Sequence, residues 1–139
     1  MKSSLQTLQR IQKFNIDEQR KILVELQTKE DKLQSSLERL DAEYEQEKEF
    51  ASEHPIGGDF GAYTKRYLQY REAFEQQLAT LREEIEKVRD QIADMFKEQK
   101  TYEIVDTNRQ KRREKESDAK EQKILDEIGT NAYIKRNKQ

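Results

Sequence analysis

Residues 60–102 read FGAYTKRYLQYREAFEQQLATLREEIEKVRDQIADMFKEQKTY, and their spacing decides the fold. Phe60, Tyr67, Phe74, Leu81, Val88, Met95 and Tyr102 recur every seven residues, and Leu78, Ile85 and Ile92 fall four residues after Phe74, Leu81 and Val88. A helix turns once in about 3.6 residues, so a sustained seven-residue repeat lays one apolar seam along one side of a long helix, as a coiled coil requires. Thr64, Arg71 and Gln99 fill the remaining seam positions. Polar residues in a seam set alignment at a cost in stability, so they read as register devices rather than reactive groups.

The partner lies upstream. Leu26, Leu33, Leu37, Leu40 and Tyr44 follow steps of seven, four, three and four, which keep one stripe on one face. Nearer the start, Leu5, Leu8, Ile11, Ile16, Ile22 or Leu23, and Leu26 stay broadly helical in spacing while the seam changes phase. Ser3 and Gln6 are placed as a capping box for this helix. Between the two segments stands His54-Pro55-Ile56-Gly57-Gly58-Asp59. Proline disfavours helical geometry at His54, the glycines permit positive φ, and the Asp59 carboxylate can cap the next helix.

The expected fold is therefore all-α, an antiparallel two-helix coiled-coil hairpin with a C-terminal helical overhang. Its expected parts are a helix over 4–53, a turn over 54–59, a helix over 60–128 ended by Gly129, and a flexible tail over 129–139, all in one domain. With the turn near Ile56, Leu40 meets the neighbourhood of Phe74, Leu33 that of Leu81 or Leu78, Leu26 that of Val88 or Ile85, and Ile16 that of Met95. Each arm of such a thin rod is about 75 Å long at the helical rise. Leu5 falls opposite the neighbourhood of Asn108, so the chain beyond Arg109 has no partner helix.

Composition supports this reading. Of 139 residues, 40% are charged and 32% hydrophobic, with a mean hydropathy of −1.24, too little apolar area for a globular core. One proline and four glycines leave long stretches free of helix breakers, and the regular apolar spacing argues against disorder. The balance of 27 basic and 29 acidic residues argues against nucleic acid as the partner, since phosphate neutralisation supplies most of that affinity. Charge is instead segregated: Asp41, Glu43, Glu45, Glu47, Glu49, Glu53 and Asp59 crowd the turn, and Arg109, Lys111, Arg112, Arg113, Lys115, Lys120 and Lys123 crowd the overhang. The two ends are expected to face different partners. The absence of cysteine removes disulfides and thiolate chemistry. Neither a signal peptide nor a membrane span is legible, and a cytoplasmic location is expected.

No catalytic constellation emerges. Asp59-Phe60-Gly61 spells the metal-binding triplet of protein kinases, but no glycine-rich nucleotide loop or catalytic loop accompanies it. Gly57-Gly58 lacks the Gly-Lys-Ser/Thr that completes a phosphate-binding loop. A lone histidine, His54, cannot form a histidine-pair metal site, and carboxylates on exposed helix faces have no apolar pocket to tune them. No enzyme activity, metal or cofactor is expected.

Two surfaces stand out. Tyr44, Tyr63, Tyr67 and Tyr70, with Phe50, Phe60 and Phe74, cluster near the turn, where they either broaden the packing or anchor a partner. The overhang joins Arg109, Lys111, Arg112 and Arg113 to Ile124, Leu125 and Ile128, apolar residues with no intrachain partner, beside dense charge. A solvated helix face is the plainer reading of such a charge run, and a binding end the favoured one.

The segment Lys100-Thr101-Tyr102-Glu103, the stretch Arg109-Gln110-Lys111-Arg112-Arg113 and the ending Glu121-Gln122-Lys123-Ile124-Leu125-Asp126-Glu127-Ile128 resemble the FliJ family of flagellar type III export, which has a relative, YscO, in virulence secretion. The architecture of the whole chain shares in the resemblance, whose motifs span Lys100 to Ile128. Tyr102-Glu103-Ile104-Val105 departs from the leucine-rich spacing of the family. The resemblance implies a non-enzymatic rod like the central stalk of rotary ATPases. Such a rod binds the hexameric export ATPase, FliI-like, promotes ring assembly, and couples it to the FlhA-like export gate protein and to export chaperones, peripheral to the inner face of the membrane. By that analogy Arg109, Lys111, Arg112, Arg113, Ile124, Leu125 and Ile128 contact the ATPase. Tyr44, Tyr63, Tyr67 and Tyr70 are the candidates for gate or chaperone contact. The rival readings are a self-associating coiled-coil scaffold and a prefoldin-like holdase, the latter disfavoured because no strand pair is legible.

Overall fold

The computed structural model describes residues 4–54 and 58–137. Two helices, α1 (Ser4–Glu53) and α2 (Phe60–Asn137), pack against each other, and no strand occurs among the described residues. The fold is the all-α antiparallel hairpin that the heptads predict. The expected cap at Ser3, the Pro55-Ile56-Gly57 part of the turn, and Lys138 and Gln139 of the expected tail lie outside the described residues.

The chain divides into two compact units, Lys13–Phe96, and Met1–Gln12 with Lys97–Gln139. In Lys13–Phe96 the core is one seam deep. Ile16, Leu37, Leu78, Leu81, Ile85 and Ile92 are buried, while Leu26, Leu33, Leu40, Phe74, Val88 and Met95 are half-buried at its margins. Two helices can cover only the facing stripe of each other, which is why apolar residues one position off the seam stay open to solvent. Cross-helix contacts confirm the antiparallel register: Tyr44 meets Thr64 at 3.1 Å, Arg82 Nε lies 3.5 Å from Glu30 Oε2, and the Arg20 guanidinium sits 4.9 Å over the Phe96 ring.

In the second unit Leu5 is buried, Tyr102, Val105 and Asp106 are half-buried, and Gln12 Nε2 donates to Glu98 Oε2 at 3.0 Å. From Thr107 to Asn137 every described residue is exposed. The overhang predicted from the turn position is thus present.

Local chemistry explains the junction. The His54 amide donates to the Phe50 carbonyl at 2.9 Å, closing the last turn of α1. Gly58 has φ of 84°, a conformation that costs a residue with a Cβ considerably more. Asp59 Oδ1 then accepts the Ala62 amide at 3.1 Å, an N-cap on α2. A Cβ on Gly61 would lie 3.2 Å from that carboxylate oxygen, so glycine there suits the cap. The kinase-like triplet is a capping device.

One boundary differs from expectation. α2 does not end at Gly129 but continues to Asn137, so the residues read as a tail are helical up to that point. Gly129 does not take the positive φ of a terminating glycine; among the described residues only Gly58 does. An interior glycine costs about 1 kcal/mol against alanine, which helix-forming neighbours can absorb, and Lys135 and Arg136 in the last turn complement the helix dipole.

Two stability predictions follow from this packing. Ile85, 3% exposed in the seam, should cost about 2–5 kcal/mol as Ile85→Ala in urea unfolding of the hairpin. Nothing lies within 4 Å of a Cβ built at Gly129, so Gly129→Ala should strengthen the overhang helix by about 1 kcal/mol, read as slower amide exchange over 124–134.

Candidate interaction surfaces

The turn-proximal surface is built around one aromatic stack and one ionic junction. The Tyr44 ring stacks on Tyr67 at 3.9 Å between centroids, with Phe60 at 5.8 Å and Tyr63 at 6.1 Å. Heptad spacing puts these rings on the seam or next to it, and α1 delivers Tyr44 into their midst. Three of the four tyrosines expected to meet a partner therefore spend much of their ring surface inside the hairpin. Tyr70 does not: it is 62% exposed, on the outer side of α2. Phe50, stacked on His54 at 4.3 Å, and Leu68 are also exposed near the turn.

One layer further from the turn, Arg71 Nη1 donates to both carboxylate oxygens of Asp41, and the Tyr67 hydroxyl donates to Asp41 Oδ1. Arg71 Nε also lies 3.3 Å from Glu75 Oε1. The Arg71 guanidinium, and then the Tyr67 hydroxyl, hold the Asp41 carboxyl below its ordinary range, while Asp41 pushes the Tyr67 hydroxyl above its own. Asp41 and Arg71 remain about a third exposed, so the pair contributes modest energy but strong geometric selection. Sliding the helices by one heptad would set Arg71 against Gln34 or Lys48 instead of Asp41. The polar seam residues Arg71 and Thr64 thus act in register, as their positions suggest.

On one side of the same unit an open groove runs between the helices, lined by Lys29, Lys32, Ser36, Ala73, Gln77 and Thr80, with Leu33 and Leu81 at its base. Small side chains at Ser36, Ala73 and Thr80 leave this space. At about 100° per residue, Tyr70 follows Ala73 and Gln77 along the same side of α2, and Glu43, Glu47 and Phe50 follow Lys32 and Ser36 along the same side of α1. Sequence reading missed this groove, because the clue is a run of small residues beside the seam and not a motif.

The second surface is the overhang. Arg109, Arg112 and Arg113 share one side of α2 with Lys120 and Lys123, whereas Lys111 points to roughly the opposite side with Lys115, at about 100° per residue. Ile124, Leu125 and Ile128 form an apolar stripe next to the basic side, exposed by 56%, 62% and 60%. No ion pair among the described residues engages the arginines at 109, 112 and 113. The structure adds residues that sequence reading left out: Tyr133 and Ile134, exposed on the helix beyond Gly129, and Leu8, Ile11 and Ile104, exposed in the same unit. The first two were hidden by the expected helix stop; Leu8 and Ile11 lie where the α1 seam changes phase, and Ile104 lies on α2.

Among the described residues no cluster of histidine, cysteine or carboxylate side chains could hold a metal ion, and no helix is long and apolar enough to cross a membrane. A heptad-seamed hairpin with an exposed, charged and apolar helical end defines a class of protein that works through its surfaces, as a helical interaction component. The chain belongs to the flagellar FliJ protein family, whose model matches residues 1–138. It is thereby a component of the flagellar type III export apparatus. Comparison with curated proteins and with solved structures returns no match.

The Asp41 junction carries a pH signature. A carboxyl lowered by folding contributes stability that is fully present above its unfolded value, near 3.8, and is lost as pH falls through the lowered value. The stability gap between the native chain and Asp41→Asn should stay constant from neutrality to about pH 4 and shrink below it, in urea unfolding followed by circular dichroism. A gap unchanged at lower pH would show that Asp41 does not carry the junction.

Proposed function

We propose that the chain is a stalk-like rod of the export apparatus: its overhang binds the hexameric export ATPase and promotes ring assembly, and its turn-proximal end couples the ATPase to the export gate and to substrate chaperones. The observation that carries this reading is the stretch from Thr107 to Asn137, helical and exposed throughout, with basic and apolar stripes side by side. A single helix with no tertiary support gains little from its own packing, so an apolar stripe kept in that setting favours a partner that supplies the missing burial.

Arg109, Arg112, Arg113, Ile124, Leu125 and Ile128 are the ATPase contacts on this reading, with Lys111 on the far side steering association by charge. At the other end, Tyr70 and Phe50 are the exposed aromatic anchors beside the groove, with Tyr44, Tyr63 and Tyr67 shaping the surface from beneath. Glu53 in the final turn of α1, with Glu49 just before it, opposes the helix dipole, and that turn carries no basic residue. Acidic charge held there against the local preference supports a docking role.

The mechanism needs no catalytic group on the rod. A helix that binds one conformation of a ring better than another shifts the population by the difference in affinity, which suffices to stimulate ATP hydrolysis and to link it to events at the far end.

Reversing the charge of Lys111, Arg112 and Arg113 together should weaken association with the export ATPase by about tenfold or more, with helicity by circular dichroism nearly unchanged. The stimulation of ATP hydrolysis should fall in parallel. Unaltered association would remove the overhang from the mechanism.

A further inference from the structure

The apolar stripe of the overhang is exposed, and its charge pattern says what can cover it in the free protein. At about 100° per residue, Ser117, Glu121, Ile124, Ile128, Asn131 and Lys135 fall in one line, separated by four, three, four, three and four residues. This is a short heptad seam with nothing of its own chain against it. Two copies of such a seam can pair in either direction. Parallel pairing would put Glu121 on Glu121 and Lys135 on Lys135. Antiparallel pairing puts Ile124 on Ile128 twice, Glu121 on the amide of Asn131, and Lys135 on Ser117, next to Glu114. Along the flank that carries Leu125 and Ala132, Asp118 of one copy comes to Arg136 of the other. The antiparallel direction keeps Glu121 and Lys135 from meeting their own copies in the seam, a gain set against one approach of Glu127 to its counterpart on the other flank, and the dense Arg109–Arg113 cluster runs clear of its own counterpart.

We propose that the occupant is a second copy of this chain, bound antiparallel along residues 117–135, so that the free protein masks its own ATPase-binding end. The proposal deepens the reading of that end as the ATPase contact and rests on it. The paired state is weak by construction, since each copy offers only Ile124 and Ile128 to the seam, with Leu125 and Ile134 on its flanks, and it is released when the ATPase supplies better burial. Self-association and ATPase binding are then mutually exclusive, and the available rod rises more slowly than its total concentration.

The test is sedimentation equilibrium of the full chain over a concentration series. The expected result is an average mass that climbs from 16.7 kDa towards twice that value as concentration rises. Ile128→Ser should abolish the climb. Asp118→Arg and Arg136→Asp should each weaken it several-fold, and the two together should restore it, a rescue that parallel pairing cannot give. A mass of one chain at all concentrations overturns the proposal, and so does a climb indifferent to Ile128→Ser, which would place the contact elsewhere. Failure to see rescue in the double variant overturns the antiparallel arrangement. Binding of the export ATPase, measured separately on the same variants, keeps the two readings apart. A monomeric chain whose Ile128→Ser form loses the ATPase sinks self-pairing alone, and a dimer whose variants bind the ATPase normally sinks the ATPase assignment alone.

Discussion

Everything in this molecule depends on a shortage of apolar surface. With 32% hydrophobic residues and 40% charged ones, the chain can offset the entropy of ordering its backbone only by placing a set of its large apolar side chains on one line and folding that line against itself. The heptad seam is that line. It makes the two helices long, it makes them antiparallel once the break at residues 54–59 reverses the chain, and it leaves most of the helix circumference polar. A seam of this kind is permissive about sliding, because one leucine layer resembles the next. The Asp41, Tyr67 and Arg71 junction removes that freedom: it costs some packing at a seam position and in return distinguishes one alignment from those a heptad away.

The same shortage shapes the surfaces. A globular protein can hide a binding residue in a pocket, but a two-helix hairpin has only grooves, flanks and ends. The groove beside Leu33 and Leu81 arises because small residues sit where large ones would have filled the flank. The aromatic stack around Tyr44 arises because rings on both helices meet across the seam close to the turn, where they stiffen the reversal and leave Tyr70 and Phe50 outside. The overhang arises from arithmetic alone: α2 has 78 residues and α1 has 50, so one helix outruns the other.

Segregated charge gives each end its own character. Glutamates dominate α1 near the turn and arginines dominate the start of the overhang, while the chain as a whole is nearly neutral. Neither pattern serves the hairpin, since most of these side chains point to solvent. Charge at a rim steers encounter and rejects wrong partners more than it adds affinity, and the adjacent exposed Ile124, Leu125 and Ile128 are positioned to supply the burial that charge does not.

The sequence by itself determined the fold class, the direction of pairing, the place of the reversal and the existence of an overhang, because each follows from periodicity and from breakers read along one dimension. It also revealed family membership, through Lys100 to Ile128, and the residue types at both candidate surfaces. Tertiary structure decided what periodicity cannot express. Which tyrosines remain free depends on where α1 lays Tyr44 across the seam, a fact about two helices at once. The groove depends on which flank positions are small on both helices at the same level. The partner of Arg71 depends on register, which the seam alone leaves degenerate by a heptad. The continuation past Gly129 depends on a cooperative balance, in which one unfavourable residue is outweighed by its neighbours and by the basic last turn, and a residue-by-residue reading of stop signals does not weigh that balance.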